Sequence, residues 1–221
     1  MLNLRTIDEL GYGRASLDPK ILPNPESLPD SPIRDAQSQP WCASLIHEAG
    51  MTLPDQASYD WRLVRASYFA KSRRRNWSVP WHQDSTIEVK RPATASGFSA
   101  WSQKNSVCRV RPPKTVLQSM LTLRILLDDC EAMDGPMELV EGSHLLGILD
   151  GAKRREVVET GQRVVCSGLR GDILGVRPLV VHRSCSSTSQ RLRPILHLEF
   201  AAVDLPGEVE WRQCVAIRRA A

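Results

Sequence analysis

Two histidines and one aspartate have the residue types and spacing of metal ligands. His82 and Asp84 flank Gln83, and His182 follows 98 positions after Asp84 (182 − 84). Two imidazoles and one carboxylate on one face of an ion are the ligand set of non-haem Fe(II) oxygenases. On an extended strand, His82 and Asp84 would project to the same face while Gln83 points away. His182 would then complete an iron site from a distant segment.

An arginine follows the third candidate ligand. Arg193 lies eleven residues after His182 (193 − 182), at the start of the next predicted strand. A planar guanidinium forms two parallel charge-assisted hydrogen bonds with a carboxylate, which a lysine cannot reproduce. Arg193 therefore suits the distal carboxylate of a 2-oxo acid that binds the iron together with O2. Arg191 is the alternative for this role, because residues i and i+2 share a strand face.

The histidines also have simpler interpretations. An isolated H-x-D tripeptide is common and is more often surface or core decoration than a ligand pair. The chain has five histidines. His47 falls in a predicted helix and His144 in a predicted turn, which leaves His82, His182 and His197 as ligand candidates. Spacing alone does not decide between a metal site and these simpler interpretations.

Composition predicts an ordinary globular protein of 221 residues, with 42% hydrophobic and 24% charged residues. The net charge of +4 does not by itself imply a nucleic-acid partner. The six cysteines form no C-x-x-C pair, which favours reduced thiols over a zinc or redox motif. Early charges argue against a signal peptide, and no apolar run approaches the ~20 residues of a membrane span. These features predict a cytoplasmic protein without a membrane segment.

Periodicity predicts a mainly β fold. Residues 1–33 form an N-terminal arm, with a short helix over 6–10 followed by a proline-rich connector, and residues 33–51 are predicted to be helical. Short strands separated by Gly, Pro and Asp turns then indicate an antiparallel sandwich or barrel. The predicted strands span residues 61–70, 79–89, 120–127, 135–140, 163–165, 172–176 and 195–202.

Side chains alternate in the last predicted strand. Its apolar face carries Leu196, Leu198 and Phe200. The opposite face carries Arg193, Ile195, His197 and Glu199. This second face must meet either solvent or a polar cavity, and strand parity leaves both possibilities open.

Several segments together resemble the phytanoyl-CoA dioxygenase (PhyH-like) family of Fe(II)/2-oxoglutarate-dependent oxygenases. They are NWSVPWHQDSTIEV (76–89), GFSAWS (97–102), RPPKTVLQSMLTLRILLDDCEAMDGPMELVEGSH (111–144) and RGDILGVRPLVVHRSCSSTSQRLRPILHLEF (170–200). The resemblance runs over residues 68–202 in the family's order. It implies a double-stranded β-helix (jelly roll, cupin-like) with flanking α-helices. We therefore expect a single oxygenase domain over residues 1–221, with the jelly-roll core at 60–202.

The resemblance also implies roles for individual residues. By the family pattern, His82, Asp84 and His182 match the iron ligands, and Arg193 matches the arginine that binds the C5 carboxylate of 2-oxoglutarate. The implied cofactors are Fe(II), 2-oxoglutarate and O2. Halogenating relatives replace the carboxylate ligand with Gly or Ala, so Asp84 favours hydroxylation or another C–H oxidation. Glu141 stands where the family usually has proline, which puts the backbone of that turn in doubt.

Four further residues are candidates for ligand contacts. Gln118 precedes a predicted strand and is a candidate for the cosubstrate, although a surface glutamine fits as well. Lys71 matches a lysine common in the family, and Trp101 lies in a loop after the H-x-D segment; both are candidates for the substrate. Arg124 lies in an apolar run, where an unpaired charge is costly. It is therefore predicted to face a polar cavity, where it would bind substrate, or to pair with an acid such as Asp172.

The partner is predicted to be a small molecule. The run of residues 71–75 is typical of a solvated loop, but it can also attract an anionic substrate, a CoA thioester or an acidic carrier protein. It lacks interleaved aromatics, so nucleic acid is not favoured. A chain of this length has little room for a CoA-binding extension, which favours a free acid or a biosynthetic intermediate. The oligomeric state is not predicted.

Two other classes remain as alternatives to such an oxygenase. One is a non-catalytic jelly-roll binding protein with a vestigial metal site. The other is an iron enzyme of the same fold that does not use 2-oxoglutarate. Intact His82, Asp84, His182 and Arg193 argue against the first alternative, and Arg193 also argues against the second.

Overall fold

The computed structural model describes residues 1–54 and 59–217. The helices in this part of the chain are α1 (Leu4–Leu10), α2 (Cys42–Gly50), α3 (Lys114–Gln118) and α4 (Gly151–Thr160). The strands are β1 (Tyr12–Ser16), β2 (Ile33–Arg34), β3 (Arg62–Lys71), β4 (Val79–His82), β5 (Ile87–Val89), β6 (Ser99–Lys104), β7 (Val107–Arg111), β8 (Met120–Leu126), β9 (Met137–Val140), β10 (Arg163–Cys166), β11 (Asp172–Val176), β12 (His182–Ser184), β13 (Arg193–Ala201) and β14 (Val215–Ala216). No helix in these residues is long and apolar enough to span a bilayer.

The strands form three antiparallel sheets. The larger sheet has the order β1-β11-β8-β13-β3-β14, with β2 also beside β3. A four-stranded sheet has the order β10-β9-β12-β4, and a three-stranded sheet has the order β5-β7-β6. The larger and the four-stranded sheets enclose a cavity between them. The prediction of a mainly β, jelly-roll fold with flanking helices is confirmed.

Strand β13 separates the hydrophobic core from this cavity. All nine of its residues are buried. Leu196, Leu198 and Phe200 join the main hydrophobic cluster, which includes Leu45 of α2. Side chains of the opposite parity, Arg193 among them, line the cavity. The polar face of the last predicted strand therefore meets a polar cavity and not bulk solvent.

The N-terminal arm contributes β1 to the edge of the larger sheet, and its proline-rich part is held by hydrogen bonds to its carbonyl groups. The hydroxyl of Tyr68 donates to the carbonyl of Pro29 at 2.8 Å. The guanidinium of Arg170 donates to the carbonyls of Pro19, Leu22 and Pro23 at 2.8–3.1 Å. Proline-rich backbone cannot donate fully to a sheet, but its carbonyls remain free to accept. The division into an arm and a jelly-roll core at 60–202 stays a prediction.

Several predicted elements differ from the structure. The helix predicted over 33–51 is shorter, because β2 and a 3₁₀ turn at Ala36–Ser38 precede α2. The strand predicted over 79–89 is interrupted between β4 and β5. The β6–β7 pair and the helices α3 and α4 were not predicted. Residues of α4 are mostly polar, so this surface helix has no strong apolar stripe to reveal it.

Candidate metal centre

The three candidate ligands come together at one end of the four-stranded sheet. His82 ends β4, His182 begins β12, and the two residues are direct partners across the strand pair. Their ring centroids lie 4.1 Å apart. Asp84 lies beyond the end of β4, where its backbone N–H donates to the carbonyl of Pro178 at 3.0 Å. One potential ligand atom from each residue lies within 4.8 Å of the other two.

Asp84 does not lie on the same strand as His82, although the sequence predicted that it would. Strand alternation was expected to place it on the face of His82, but β4 stops at His82. Gln83 leaves the strand because its side chain is bonded to backbone on two other segments. Its Nε2 donates to the carbonyls of Gly147 and Leu179, and its Oε1 accepts from the N–H of Leu149, all at 2.8 Å. These three bonds turn Gln83 away from the site and hold the residues on either side of it.

Both imidazoles have a defined tautomer. Nδ1 of His82 lies 2.8 Å from the carbonyl oxygen of Pro80, and Nδ1 of His182 lies 2.9 Å from that of Val180. A carbonyl can only accept, so each Nδ1 carries the hydrogen and each Nε2 presents a lone pair. Hydrogen bonding of the second ring nitrogen is the usual way in which proteins orient a metal-binding histidine.

The distances between ligand atoms match the size of a metal ion. His82 Nε2 lies 3.8 Å from Oδ1 of Asp84, and His182 Nε2 lies 3.7 Å from Oδ2. These separations are too long for hydrogen bonds. Ligands that each lie about 2 Å from one ion are separated by at most about 4 Å. The three side chains are therefore close enough to converge on one divalent transition metal.

The protonation states also suit a metal. Burial lowers the pKa of His182 to about 4, so its ring is neutral at neutral pH. Burial raises the pKa of Asp84, but His182, His197 and His82 lower it, and the net direction is downward. Metal binding requires neutral imidazole and ionised carboxylate. Both of these groups are in that state before a metal arrives.

The ligands open into a cavity of about 260 Å³. Its apolar lining includes Phe69, Val79 and Met137, and three of the residues predicted from the sequence also line it: Lys71, Arg124 and Arg193. Trp77 belongs to the lining as well and lies 5.6 Å from the Nζ of Lys71.

Arg193 is a buried cation with unused donors. Its residue is 3% exposed, and its Nε and Nη1 lack a hydrogen-bond partner among the described residues. Burial lowers its pKa. Lys71 is its direct partner across β13 and β3, and the Nζ of Lys71 donates to Ser184 Oγ at 2.7 Å and to the carbonyl of Cys185. Burial, Arg193 and Arg124 lower the pKa of Lys71 to about 8. Arg193 and Lys71 have no acidic partner among the described residues, so they are suited to bind an anionic ligand.

Arg191 occupies a different environment from Arg193. Its side chain is 45% exposed and lies 3.6 Å from the carboxylate of Asp128 and 3.9 Å from that of Glu131. It is not part of the described cavity lining. The geometry therefore favours Arg193 over Arg191 as the carboxylate-binding residue.

Arg124 faces the cavity and is bonded to a histidine. Its Nη1 lies 3.1 Å from Nδ1 of His197, its partner across β8 and β13. Nε2 of His197 lies 3.2 Å from Oε1 of Glu199. Asp172, the acid suggested for Arg124, accepts from the backbone N–H of Leu169 at 2.9 Å. Of the two predicted environments for Arg124, the structure shows the polar cavity.

Sequence reasoning missed two further arginines that line the cavity, Arg65 and Arg109. Arg65 of β3 lies 2.7 Å from Glu199, and Arg109 of β7 lies 2.8 Å from Glu88. Arg65 has the same strand parity as Lys71, and this signal could have placed it on the cavity face. Arg109 had no such signal, because the β6–β7 pair was not predicted.

Two predicted residues are not brought to the cavity. Trp101 lies on β6, where its ring stacks on Phe98 with centroids 6.2 Å apart. Gln118 ends α3 and lines a separate surface cavity that includes Asp8 and Lys114. Both assignments relied on position along the chain, which does not determine where a strand or a helix packs in three dimensions.

Several solved structures share this fold. The non-heme alpha ketoglutarate dependent carbocyclase SnoK from nogalamycin biosynthesis has 18% identity and a TM-score of 0.65, over 92% of this chain and 85% of that chain. The epimerase SnoN, in complex with Fe3+, alpha ketoglutarate and nogalamycin RO, has 17% identity and a TM-score of 0.59, over 98% and 94%. EctD from S. alaskensis, with 2-oxoglutarate and 5-hydroxyectoine, has 17% identity and a TM-score of 0.60, over 90% and 74%. At these identities the likeness shows a common fold.

Family membership is shown by the sequence itself. No curated protein matches the chain. The family model for phytanoyl-CoA dioxygenase (PhyH) matches residues 33–195, which include all three candidate ligands and Arg193. The chain therefore belongs to the phytanoyl-CoA dioxygenase (PhyH) family.

Proposed function

We propose that the chain is an Fe(II)- and 2-oxoglutarate-dependent dioxygenase that oxidises an unactivated C–H bond of a small molecule. The observation that carries this proposal is a single cavity containing both a metal-sized ligand group and a buried arginine with free donors. Iron accounts for His82, Asp84 and His182, and a cosubstrate carboxylate accounts for Arg193. A vestigial binding site would not be expected to keep both features.

The protein's own residues bind and orient the reactants. His82 and His182 would hold iron through Nε2, and Asp84 would hold it through its carboxylate. When bound, iron with 2-oxoglutarate and O2 supplies the oxidation of the substrate C–H bond, with decarboxylation of 2-oxoglutarate to succinate and CO2. Arg193 binds the C5 carboxylate, and Lys71 beside it supplies a second positive charge.

The cavity lining and the ligand set bear on the type of reaction. Phe69, Val79 and Met137 contribute apolar surface to the cavity. The carboxylate of Asp84 would take the ligand position that halogenating relatives leave free for a halide. We therefore propose hydroxylation rather than halogenation for this chain. Arg124 lines the cavity and is proposed to bind substrate. Trp101 and Gln118 lie outside the described cavity lining and are not proposed to do so.

Anaerobic titration tests the proposal directly. Fe(II) followed by 2-oxoglutarate is expected to produce a visible metal-to-ligand charge-transfer band, and admission of air is expected to yield succinate. Absence of both the band and succinate would overturn the proposal. A band without succinate would point to the binding-protein alternative. Fe(II)-dependent oxidation that needs no 2-oxoglutarate would point to the other iron enzyme class.

A further inference from the structure

We propose that Arg124 forms a carboxylate-binding site for the primary substrate within the metal cavity, and that this substrate is a small free organic acid. The inference rests on the proposed function, because it concerns the positive charge that remains after iron and 2-oxoglutarate are bound. It narrows the substrate from any small molecule to one with an anionic group.

The described lining of the cavity is rich in positive charge. Asp84 is its one carboxylate, while six lining residues are arginine or lysine: Arg65, Lys71, Arg109, Arg124, Arg183 and Arg193. Three of these cations are paired with acids at 2.7–2.8 Å: Arg65 with Glu199, Arg109 with Glu88, and Arg183 with Glu138. For Lys71, Arg124 and Arg193, the described residues include no acid within ion-pair distance.

Iron and cosubstrate do not neutralise these three cations. The ion adds two positive charges, Asp84 supplies one negative charge, and 2-oxoglutarate supplies two. With three unpaired cations, the occupied cavity keeps an excess of two positive charges. One cosubstrate carboxylate lies at Arg193 and Lys71 and the other at the metal, so Arg124 has no anion of its own. An uncompensated buried charge is costly, and a second anionic ligand would remove that cost.

The side chain of Arg124 is held in place without being neutralised. A neutral imidazole has one donor and one acceptor. His197 donates from Nε2 to Glu199, and its Nδ1 therefore accepts from Arg124 Nη1 at 3.1 Å. This bond uses one of the guanidinium N–H groups and leaves the others available to a ligand. Burial and Arg193 lower the pKa of Arg124 to about 10, so it remains charged at neutral pH.

The chemistry of the site selects a carboxylate over a neutral group. A planar guanidinium matches a planar carboxylate through two parallel hydrogen bonds. The carbonyl of an amide or a thioester carries no charge and would leave Arg124 uncompensated. Sites that contain buried polar groups discriminate strongly against ligands that leave those groups unpaired. A free acid therefore fits Arg124 better than a CoA or carrier thioester.

Matched pairs of acids and amides test this site without knowledge of the natural substrate. The anaerobic Fe(II)–2-oxoglutarate protein is titrated with propionate, 3-phenylpropionate and cyclohexanecarboxylate, and with the three corresponding primary amides. Binding is followed by perturbation of the charge-transfer band and by thermal unfolding. We expect the acids to bind at least about tenfold more tightly than the amides, which corresponds to about 1.4 kcal/mol.

Variants of Arg124 assign the preference to this residue. Arg124→Met is expected to abolish the preference for acids while leaving the Kd of 2-oxoglutarate unchanged. Arg124→Gln, which keeps a donor toward His197, should lose the preference as well and guards against misfolding of the first variant. Arg163→Met removes an exposed arginine of β10 and should retain the preference.

The outcomes are distinguishable. Equal affinity for acids and amides, or no binding of either, would overturn the carboxylate site. An Arg124→Met variant that weakens 2-oxoglutarate as much as it weakens the acids would assign Arg124 to the cosubstrate instead. A wild-type protein that forms no band with Fe(II) and 2-oxoglutarate would defeat the proposed function itself.

Discussion

The two walls of the cavity differ in how completely their charged groups are paired. On the four-stranded sheet, His82 and His182 are each bonded to a backbone carbonyl, and Arg183 is paired with Glu138. On the larger sheet, Arg65 is paired with Glu199, but Arg193 and Arg124 are buried or half-buried cations without an acid partner among the described residues. The polar groups named on the four-stranded sheet all have partners, and its candidate ligands lack only a metal ion. The larger sheet holds positive charge that only anionic ligands can compensate. Its unpaired cations therefore lower the stability of the protein without ligands.

The largest effect on the metal site is expected from removal of its carboxylate. Asp84→Gly is expected to weaken Fe(II) binding by more than about 100-fold, the upper end of the loss seen when only a supporting residue of a metal site is removed. Succinate formation and the charge-transfer band should both disappear. Asp30→Gly, in the exposed part of the N-terminal arm, is the matched control. Normal turnover in Asp84→Gly would remove Asp84 from the ligand set.

On the larger sheet, the largest effect on 2-oxoglutarate binding is expected from substitution of Arg193. Arg193→Met should raise the Kd of 2-oxoglutarate roughly 100-fold, because two charge-assisted hydrogen bonds contribute about 3 kcal/mol. Arg191→Met, which removes an exposed and ion-paired arginine, should leave this Kd unchanged. The reverse pattern would transfer the role to Arg191. The apo form of Arg193→Met should be no less stable than the wild type in thermal unfolding, since a buried unpaired charge has been removed.

The Gln83→Ala variant tests whether the metal site depends on the hydrogen bonds between Gln83 and the backbone. Gln83→Ala removes the three hydrogen bonds to the carbonyls of Gly147 and Leu179 and the N–H of Leu149. We expect Fe(II) affinity to fall by about 10-fold or more, as it does when outer partners of metal ligands are lost. Gln103→Ala, on the exposed strand β6, is the control. Equal Fe(II) affinity in the two variants would show that the ligands are held without Gln83.

The smallest expected effect is a pH dependence from Lys71. Its pKa in the folded protein is lowered to about 8, so the side chain loses its charge as pH rises through that value. The Kd of 2-oxoglutarate should therefore increase, by up to about tenfold between pH 7 and 9, as the charged fraction falls. The Lys71→Met variant should bind more weakly at pH 7 and show a flat profile. A wild-type Kd that is constant over this range would separate Lys71 from the cosubstrate site.

The sequence predicted the metal centre better than it predicted the rest of the cavity. Few residue types can bind iron, and the chain has only five histidines, so His82, Asp84 and His182 could be chosen as candidate ligands from type, spacing and family resemblance. The cavity face of β13 followed from strand parity once the strand was recognised. Trp101 and Gln118 lie outside the described cavity lining, because they were chosen by proximity in sequence, which does not determine where a strand or a helix packs.

What the sequence determined by itself was the set of residue types that could bind a metal, two histidines and a carboxylate, and the alternating faces of β13. Those features depend on local composition and on the geometry of a single strand. The tertiary structure decided which arginines are neutralised, because the partners Glu88, Glu138 and Glu199 reach the cavity from different strands. The charge left on Arg124 and Arg193 is a property of that assembled cavity, since ion pairing acts over a few ångströms of space regardless of separation along the chain.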